Sequence, residues 1–583
     1  MPAGVPKGEG IAMARRDGLT AGQMTMLALG SAIGGAFFLG SAVAIRSAGP
    51  VVLLGFALGG AIVYVVLMAL ADLTLEDPAP GSFRHYAQKA FGPLAGFVVG
   101  WVYWAGLTLA MSSEATAAAV FLRTWLPGMS GPVLATLIVL AVTGLNLLGA
   151  RQLARLEGAL AGVKLLAVCG FILVALALIT GLWPGRAPVG LGALAREPWQ
   201  AAGWRGLLGA MLVVMFTYAG TEIIGLAAPS SRDPRRTVVR AARRTALVLA
   251  GLYVLAVGVL LPLIPTRRLG VSASPMVAAL AAHGLAGTAR VVNGVLVTAI
   301  LSTMLAVMFS LGRVVRSLAE DGMGPAWLVE RSPVPRRGIL FSGAVMLAGV
   351  GLGYLVPRQV YVFLVSAGGF ALLLVYASIV AAHWRLRAAG ARAGLRPPAR
   401  APAVGQAPDR PRSLVPGFPW SNVLVLAVVL AVMAGMPLVP GQGAGLAAGL
   451  VLTALAAGVY LVRARGAARA AATERAAAAD QVATAGRATA AERAAGTGQV
   501  AVVPRAATAE RAAAAPGASR GPVPGPARAA SGPAHGTNPG PSRPAAARGP
   551  QDVTPKGIAP AGVATAPARH GSRAGSPGRR SRG

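Results

Sequence analysis

Apolar residues in this chain come in long runs, and short polar segments separate them. A helix needs about 20 mostly apolar residues to cross the hydrocarbon of a bilayer. Runs of that kind lie near 20–46, 51–71, 94–122, 132–149, 159–181, 204–228, 245–265, 291–312, 338–356, 359–384, 421–438 and 445–462. The pattern predicts an all-α integral membrane protein of about twelve spans. Glycines break the first run, and it is too long for the apolar core of a cleaved leader, so it is expected to be a span.

Two runs are interrupted by small residues. The first reads Gly30-Ser-Ala-Ile-Gly-Gly-Ala-Phe-Phe-Leu-Gly40 and the sixth reads Phe216-Thr-Tyr-Ala-Gly-Thr-Glu-Ile-Ile-Gly225. They lie five spans apart, an odd number, so they cross the membrane in opposite directions. A broken helix leaves N–H and C=O groups without helical partners at membrane depth. Such groups are tolerated only where they line a cavity or meet a ligand. Interrupted segments at matching places in two halves are the sequence mark of a transporter site. Half-helix N-termini favour an anion and freed carbonyls favour a cation. A small molecule carrying both a carboxylate and an ammonium suits that pair. The competing reading is close helix packing through small residues.

Composition agrees with the apolar pattern. The chain of 583 residues is 55% hydrophobic and 12% charged, against about 25% charged in soluble domains. Its net charge of +34 is not the mark of a nucleic-acid partner, because most of that charge lies between apolar runs. With the N-terminus inside, the inner segments up to residue 462 hold 25 basic residues and the outer loops 9. Arg232, Arg235, Arg236, Arg240, Arg243 and Arg244 form the densest inner cluster. Both termini are therefore expected in the cytoplasm, with the chain in the plasma membrane. The organisation reads as an N-terminal segment 1–18, a transmembrane domain 19–463 and a tail 464–583. The tail, rich in Ala, Gly, Pro and Arg, is expected to be disordered.

Three ionisable residues fall well inside runs: Glu114, Lys164 and Glu222. Such residues are functional candidates by default. Lys164 reads either as a proton-exchanging ammonium or as a lysine snorkelling to the interface. Glu222 would meet a ligand ammonium or tie down the broken backbone of the sixth run. Glu114, among small residues, reads as a packed carboxyl, protonated or paired. Trp101, Tyr103 and Trp104 read as an interfacial aromatic belt. Cys169 is the lone cysteine and the five histidines show no ligand spacing, so no metal site is expected. No phosphate-binding loop or nucleophile–base pair appears. An enzyme is not expected, nor a cofactor, and any accumulation would draw on an ion gradient or exchange.

These segments resemble the amino acid permeases of the amino acid–polyamine–organocation (APC) superfamily over about residues 18–462. Ser31-Ala-Ile-Gly-Gly-Ala-Phe-Phe-Leu-Gly-Ser41 is similar to the family's first-span motif. In order, Ala48-Gly-Pro50, Gly81-Ser-Phe-Arg-His-Tyr86, Gly100-Trp-Val-Tyr-Trp104, Glu114-Ala-Thr116, Phe216–Glu222, Asp233-Pro-Arg-Arg-Thr237 and Ser317–Gly322 match further signatures. The resemblance implies a five-plus-five inverted repeat with helices one and six broken, and two further helices. It implies a substrate carboxylate on the N–H groups of Gly34, Gly35 and Ala36. It places the substrate ammonium on the carbonyls of Ala32, Ile33, Phe216 and Ala219, with Glu222 beside them. It implies a proton-coupling role for Lys164, with Ser302 and Thr303 as eighth-span partners. Gly35 and Ala36 stand where the family has threonine and glycine, and Ala228-Pro-Ser230 stands where it has Ala-Gly-Glu. Loss of that carboxylate argues against a cationic side chain. The expected function is proton symport of a neutral amino acid. The alternatives are an exchanger without net proton movement and an amino acid sensor that does not transport.

Overall fold

The computed structural model describes residues 18–79, 81–200, 203–231, 233–356, 359–393 and 413–496. Among them the chain is helical throughout, and its only β-pairing is the isolated bridge of Leu19 with Ser231. That outcome follows from the solvent. Lipid supplies no hydrogen bonds, so each segment closes its own backbone bonds as a helix.

The first span is split into α1 (Ala21–Ala32), a single turn α2 (Gly35–Phe38) and α3 (Gly40–Ala48). The long helix α4 (Val52–Glu76) follows, then a short surface helix α5 (Ser82–Phe91) and α6 (Pro93–Leu122). Next come α7 (Gly131–Leu147) and α8 (Ala150–Thr180). The sixth run is split into α9 (Gly203–Thr217) and α10 (Ile223–Ala227). Beyond it lie α11 (Pro234–Leu260), α12 (Pro275–Ala282), α13 (Ala286–Glu320) and α14 (Arg336–Leu355). The last three are α15 (Val360–Ala393), α16 (Trp420–Gly435) and α17 (Gln442–Gly496). Nine stretches of the described residues are long and apolar enough to cross a membrane, and α7 and α9 are shorter apolar helices.

Local chemistry sets several ends. Thr20 caps α1 in a reciprocal box with Gln23, which satisfies two exposed donors at once. Asp233 caps α11 by accepting from the Arg236 N–H, and Pro234 opens that helix. The Asp-Pro-Arg-Arg-Thr signature is thus a helix-start device.

The core lies where α6 packs along α15 and α13, α11 along α4, and α9 along α3. Around it α8, α16 and α17 turn apolar faces outward; Leu166 and Leu173 of α8 are 73% and 67% exposed. Lipid-facing leucines are the expected surface for a membrane bundle.

The tail differs from expectation. Its first part, 464–496, continues α17 as a helix that is exposed over 472–493. Alanine and arginine have high helix propensity, and a helix already nucleated inside the membrane extends through them with one bond gained per residue. Residues 497–583 and the segment 1–17 lie outside the described residues.

Close packing of α6 on α15 depends on Gly106, where an added Cβ would fall on the Cβ of Ala371. Gly106→Leu should lower thermal stability in detergent by at least ~1–3 kcal/mol. Gly251→Leu, with open space around it on α11, should leave the melting curve unchanged. Equal curves for both variants would contradict this packing.

Candidate functional site

The two breaks meet. α1 stops at Ile33, whose backbone is extended, and Gly34 is extended as well. In the sixth span the chain leaves α9 at Thr217 and turns through Gly220, which has φ +95°. A Cβ on Gly220 would stand 2.7 Å from the Ser31 carbonyl oxygen. Ser31 Oγ in turn donates to the Gly220 carbonyl at 3.0 Å. Glycine is required here twice over, by conformation and by approach.

Most of the freed backbone groups are satisfied from other helices. On α8, Lys164 is fully buried and donates from Nζ to the Gly30 carbonyl at 2.5 Å and to Thr303 Oγ1 at 2.7 Å. The Thr303 hydroxyl of α13 faces the Ile33 carbonyl at 3.0 Å. Tyr253 of α11 donates to the carbonyls of Thr217 at 3.0 Å and Ala32 at 3.4 Å. Its ring stacks on Phe37 with centroids 4.0 Å apart. Lys164 therefore ends at the first break, with its ammonium buried inside the bundle. Of its two expected partners on α13 it takes Thr303; Ser302 Oγ is buried without a hydrogen bond.

The N–H side of the first break is where the sequence reading missed a residue. Glu114 of α6 accepts from the Gly35 N–H at 2.6 Å and from the Ala36 N–H at 2.9 Å. These are two of the three donors expected to hold a substrate carboxylate. The signal was present, an intramembrane glutamate in a run of small residues. What sequence cannot give is the register that points α6 at α2.

Glu222 plays a matching part at the second break. It accepts from the Gly220 N–H at 3.0 Å and from the Tyr103 hydroxyl at 3.2 Å. Of its two readings, tying the unwound backbone is the one with hydrogen bonds behind it. Phe216 is buried, and its ring lies against Gly368 of α15. Its carbonyl accepts from the Ala219 N–H at 3.0 Å. Tyr218 anchors on the Phe56 carbonyl at 2.9 Å.

The aromatic belt is corrected in the same way. Tyr103 and Trp104 are buried, and Trp104 donates to Ser342 Oγ. Inside the bundle the polar atom of each ring has the partner that burial requires.

A cavity of about 360 Å³ reaches toward this site, lined by Leu27, Tyr103, Ile223, Phe309, Arg84 and Arg313 among others. Arg84 is ion-paired with Asp321 across its rim. On the same surface helix, Lys89 and then His85 hydrogen-bond Asp77 and hold its carboxyl below the usual range. Burial pushes the Tyr86 hydroxyl up to about 12. Among the described residues no group of three metal-ligating side chains is found.

The family follows from comparison with known proteins. Residues 23–464 match the family Amino acid permease. The chain belongs to the amino acid permease family. One relative is the aromatic amino acid transport protein AroP of Salmonella typhimurium strain SL1344. It is 31% identical over 436 residues, covering 73% of this chain and 91% of that protein. Another is the gamma-aminobutyric acid permease of Escherichia coli K12, 32% identical over 378 residues, covering 64% and 80%. A crystal structure of the Eremococcus coleocola manganese transporter aligns over 79% of this chain and 94% of that one, at a TM-score of 0.46 and 15% identity. That likeness carries no argument. This permease is a multi-pass membrane protein of amino acid transport.

Because Gly220 holds a positive φ against Ser31, Gly220→Ala should be strained. The left-handed conformation alone costs about 1–2 kcal/mol, and the contact with Ser31 adds to it. A thermal midpoint several degrees below wild type is expected in detergent. An unshifted midpoint would mean that the two breaks do not meet as described.

Proposed function

We propose that this permease is a proton-coupled symporter of a neutral amino acid. It works by alternating access in a twelve-span fold with a five-plus-five inverted repeat. The single observation that supports it best is Lys164, fully buried and bonded to the first break through Gly30 and to α13 through Thr303. An ammonium placed there joins α8, the first span and α13. Losing its proton would remove its charge and one of its three donors, and so weaken its hold on the groups that tie those helices together. Proton movement and gate movement are then linked through differential contacts in two states.

The substrate would bind in the gap between the breaks. Its carboxylate would lie on the N–H groups of Gly34, Gly35 and Ala36. Its ammonium would face the carbonyls of Ala32, Ile33, Phe216 and Ala219, with Glu222 holding the second break in shape. A neutral side chain fits the Ala228-Pro-Ser230 turn, which brings no carboxylate to that end of the sixth span. The relatives, an aromatic amino acid transport protein and a gamma-aminobutyric acid permease, accord with a substrate without net charge. The cavity beside Arg84, Arg313 and Arg316 lies on the arginine-rich side, which the positive-inside rule assigns to the cytoplasm. Both termini then face the cytoplasm and the protein sits in the plasma membrane. The exchanger remains the second reading, since freed carbonyls would hold an amino acid equally well without net proton flow.

Uptake of radiolabelled neutral amino acids into proteoliposomes separates the two. Wild type should concentrate substrate when only an inward proton gradient is supplied. Lys164→Ala should lose that accumulation and keep equilibrium binding, because backbone groups hold the ligand. Accumulation by Lys164→Ala under the pH gradient alone would remove Lys164 from coupling. Exchange without any response to the gradient in wild type would select the exchanger.

A further inference from the structure

The N–H groups assigned to the substrate carboxylate are already engaged. Glu114 Oε2 lies 2.6 Å from the Gly35 nitrogen, and Oε1 lies 2.9 Å from the Ala36 nitrogen. Glu114 is 3% exposed. Two successive N–H groups thus hold both oxygens of one carboxylate, the geometry a bound amino acid would present. An ionised carboxylate only accepts, and here both of its oxygens face N–H donors.

The local sequence makes room for it. A Cβ on Gly34 would stand 2.8 Å from Glu114 Oε2, and one on Gly35 would stand 3.0 Å from the same atom and 2.9 Å from the Ala117 Cβ. Glycine at 35 therefore leaves the space the carboxylate fills. Around it stand the titratable side chains of three further helices. The Lys164 ammonium of α8 attracts it. The Tyr253 phenol of α11 and the Tyr361 phenol of α15 interact with it as well. Tyr361 donates to the Gly35 carbonyl at 3.3 Å.

A second carboxylate cannot share this place as an anion. Two like charges a few ångströms apart do not both stay ionised. Glu114 also cannot readily swing away still charged, because it would lose both N–H donors and remain a buried ion without the hydrogen bonds that offset its burial. We propose that Glu114 is a tethered carboxylate that fills the substrate-carboxylate position in the empty permease and leaves it by taking up one proton as the amino acid binds. The inference rests on the transport reading above and names the group that loads the proton. The exchange balances. One proton from solvent converts the Glu114 carboxylate to the neutral acid. The two hydrogen bonds it accepts from the Gly35 and Ala36 N–H groups break, and the substrate carboxylate accepts two in their place. The protonated Glu114 no longer offers Lys164 an opposite charge, so the titrations of the two residues are coupled.

The test uses full-length permease in detergent with the neutral L-amino acid that binds most tightly in a panel, and with the matching amine that lacks the carboxylate. Proton uptake on binding is read from calorimetry in buffers of different ionisation heat. Wild type should take up about one proton per amino acid and none with the amine, and its Kd should rise about tenfold per pH unit in the alkaline range. Glu114→Gln should bind with no proton uptake and no such pH dependence, while Lys164→Ala should still take up the proton on binding. Uptake that persists in Glu114→Gln and vanishes in Lys164→Ala would overturn the proposal and leave the lysine reading standing. Binding of no neutral amino acid to wild type would overturn the transport reading, and this one with it. Should Glu114→Gln fail to fold, the infrared difference spectrum of wild type decides. A protonated-carboxyl band that appears with the amino acid and not with the amine supports the proposal, and its absence overturns it.

Discussion

A helix cannot break inside lipid unless its orphaned backbone groups find partners, and in this permease that constraint organises the residues around the two breaks. The two breaks solve it together. Ser31 and Gly220 bring the broken ends into contact, so each break is partly filled by the other. Further groups are met by side chains reaching in from four other helices: Glu114, Lys164, Tyr253 and Thr303. The residues that would otherwise be costly to bury, two carboxylates and an ammonium among them, are buried because the backbone pairs with them.

The polarity of that pairing is informative. Carboxylates meet N–H groups at both breaks, Glu114 at the first and Glu222 at the second. The ammonium of Lys164 meets a carbonyl. At the first break, Glu114 and Lys164 together present one carboxylate and one ammonium to a short stretch of backbone. That is the charge pattern of an amino acid, built from the protein's own side chains. A gap that satisfies itself this way keeps its shape when empty, and a zwitterionic ligand can replace internal bonds with equivalent ones.

Much of this was legible in sequence. The apolar runs point to a helical membrane bundle, and the described residues are all-helical with nine stretches long and apolar enough to cross a membrane. The importance of Gly220 was implicit in the sixth-span motif, although the reason, a positive φ against Ser31, needs coordinates. Rotation of helices was not legible. Glu114 looked like packing and Tyr103 like an interfacial residue, because a strongly apolar helix carries little amphipathic signal to say which face looks inward. The tail misled for another reason. Low apolar content argues against a packed core, but it does not prevent an alanine-rich helix from running on past the membrane through residues 464–496.

The central claim is that the amino acid sits between the two breaks. An experimental structure of the permease with a neutral amino acid bound addresses it most directly. The account predicts the ligand carboxylate within hydrogen-bond distance of the Gly35 and Ala36 nitrogens, its ammonium facing the carbonyls between Phe216 and Ala219, and the Glu114 side chain moved off those nitrogens. A ligand seated instead in the cavity beside Arg84 and Arg313, with Glu114 still on Gly35 and Ala36, would contradict it.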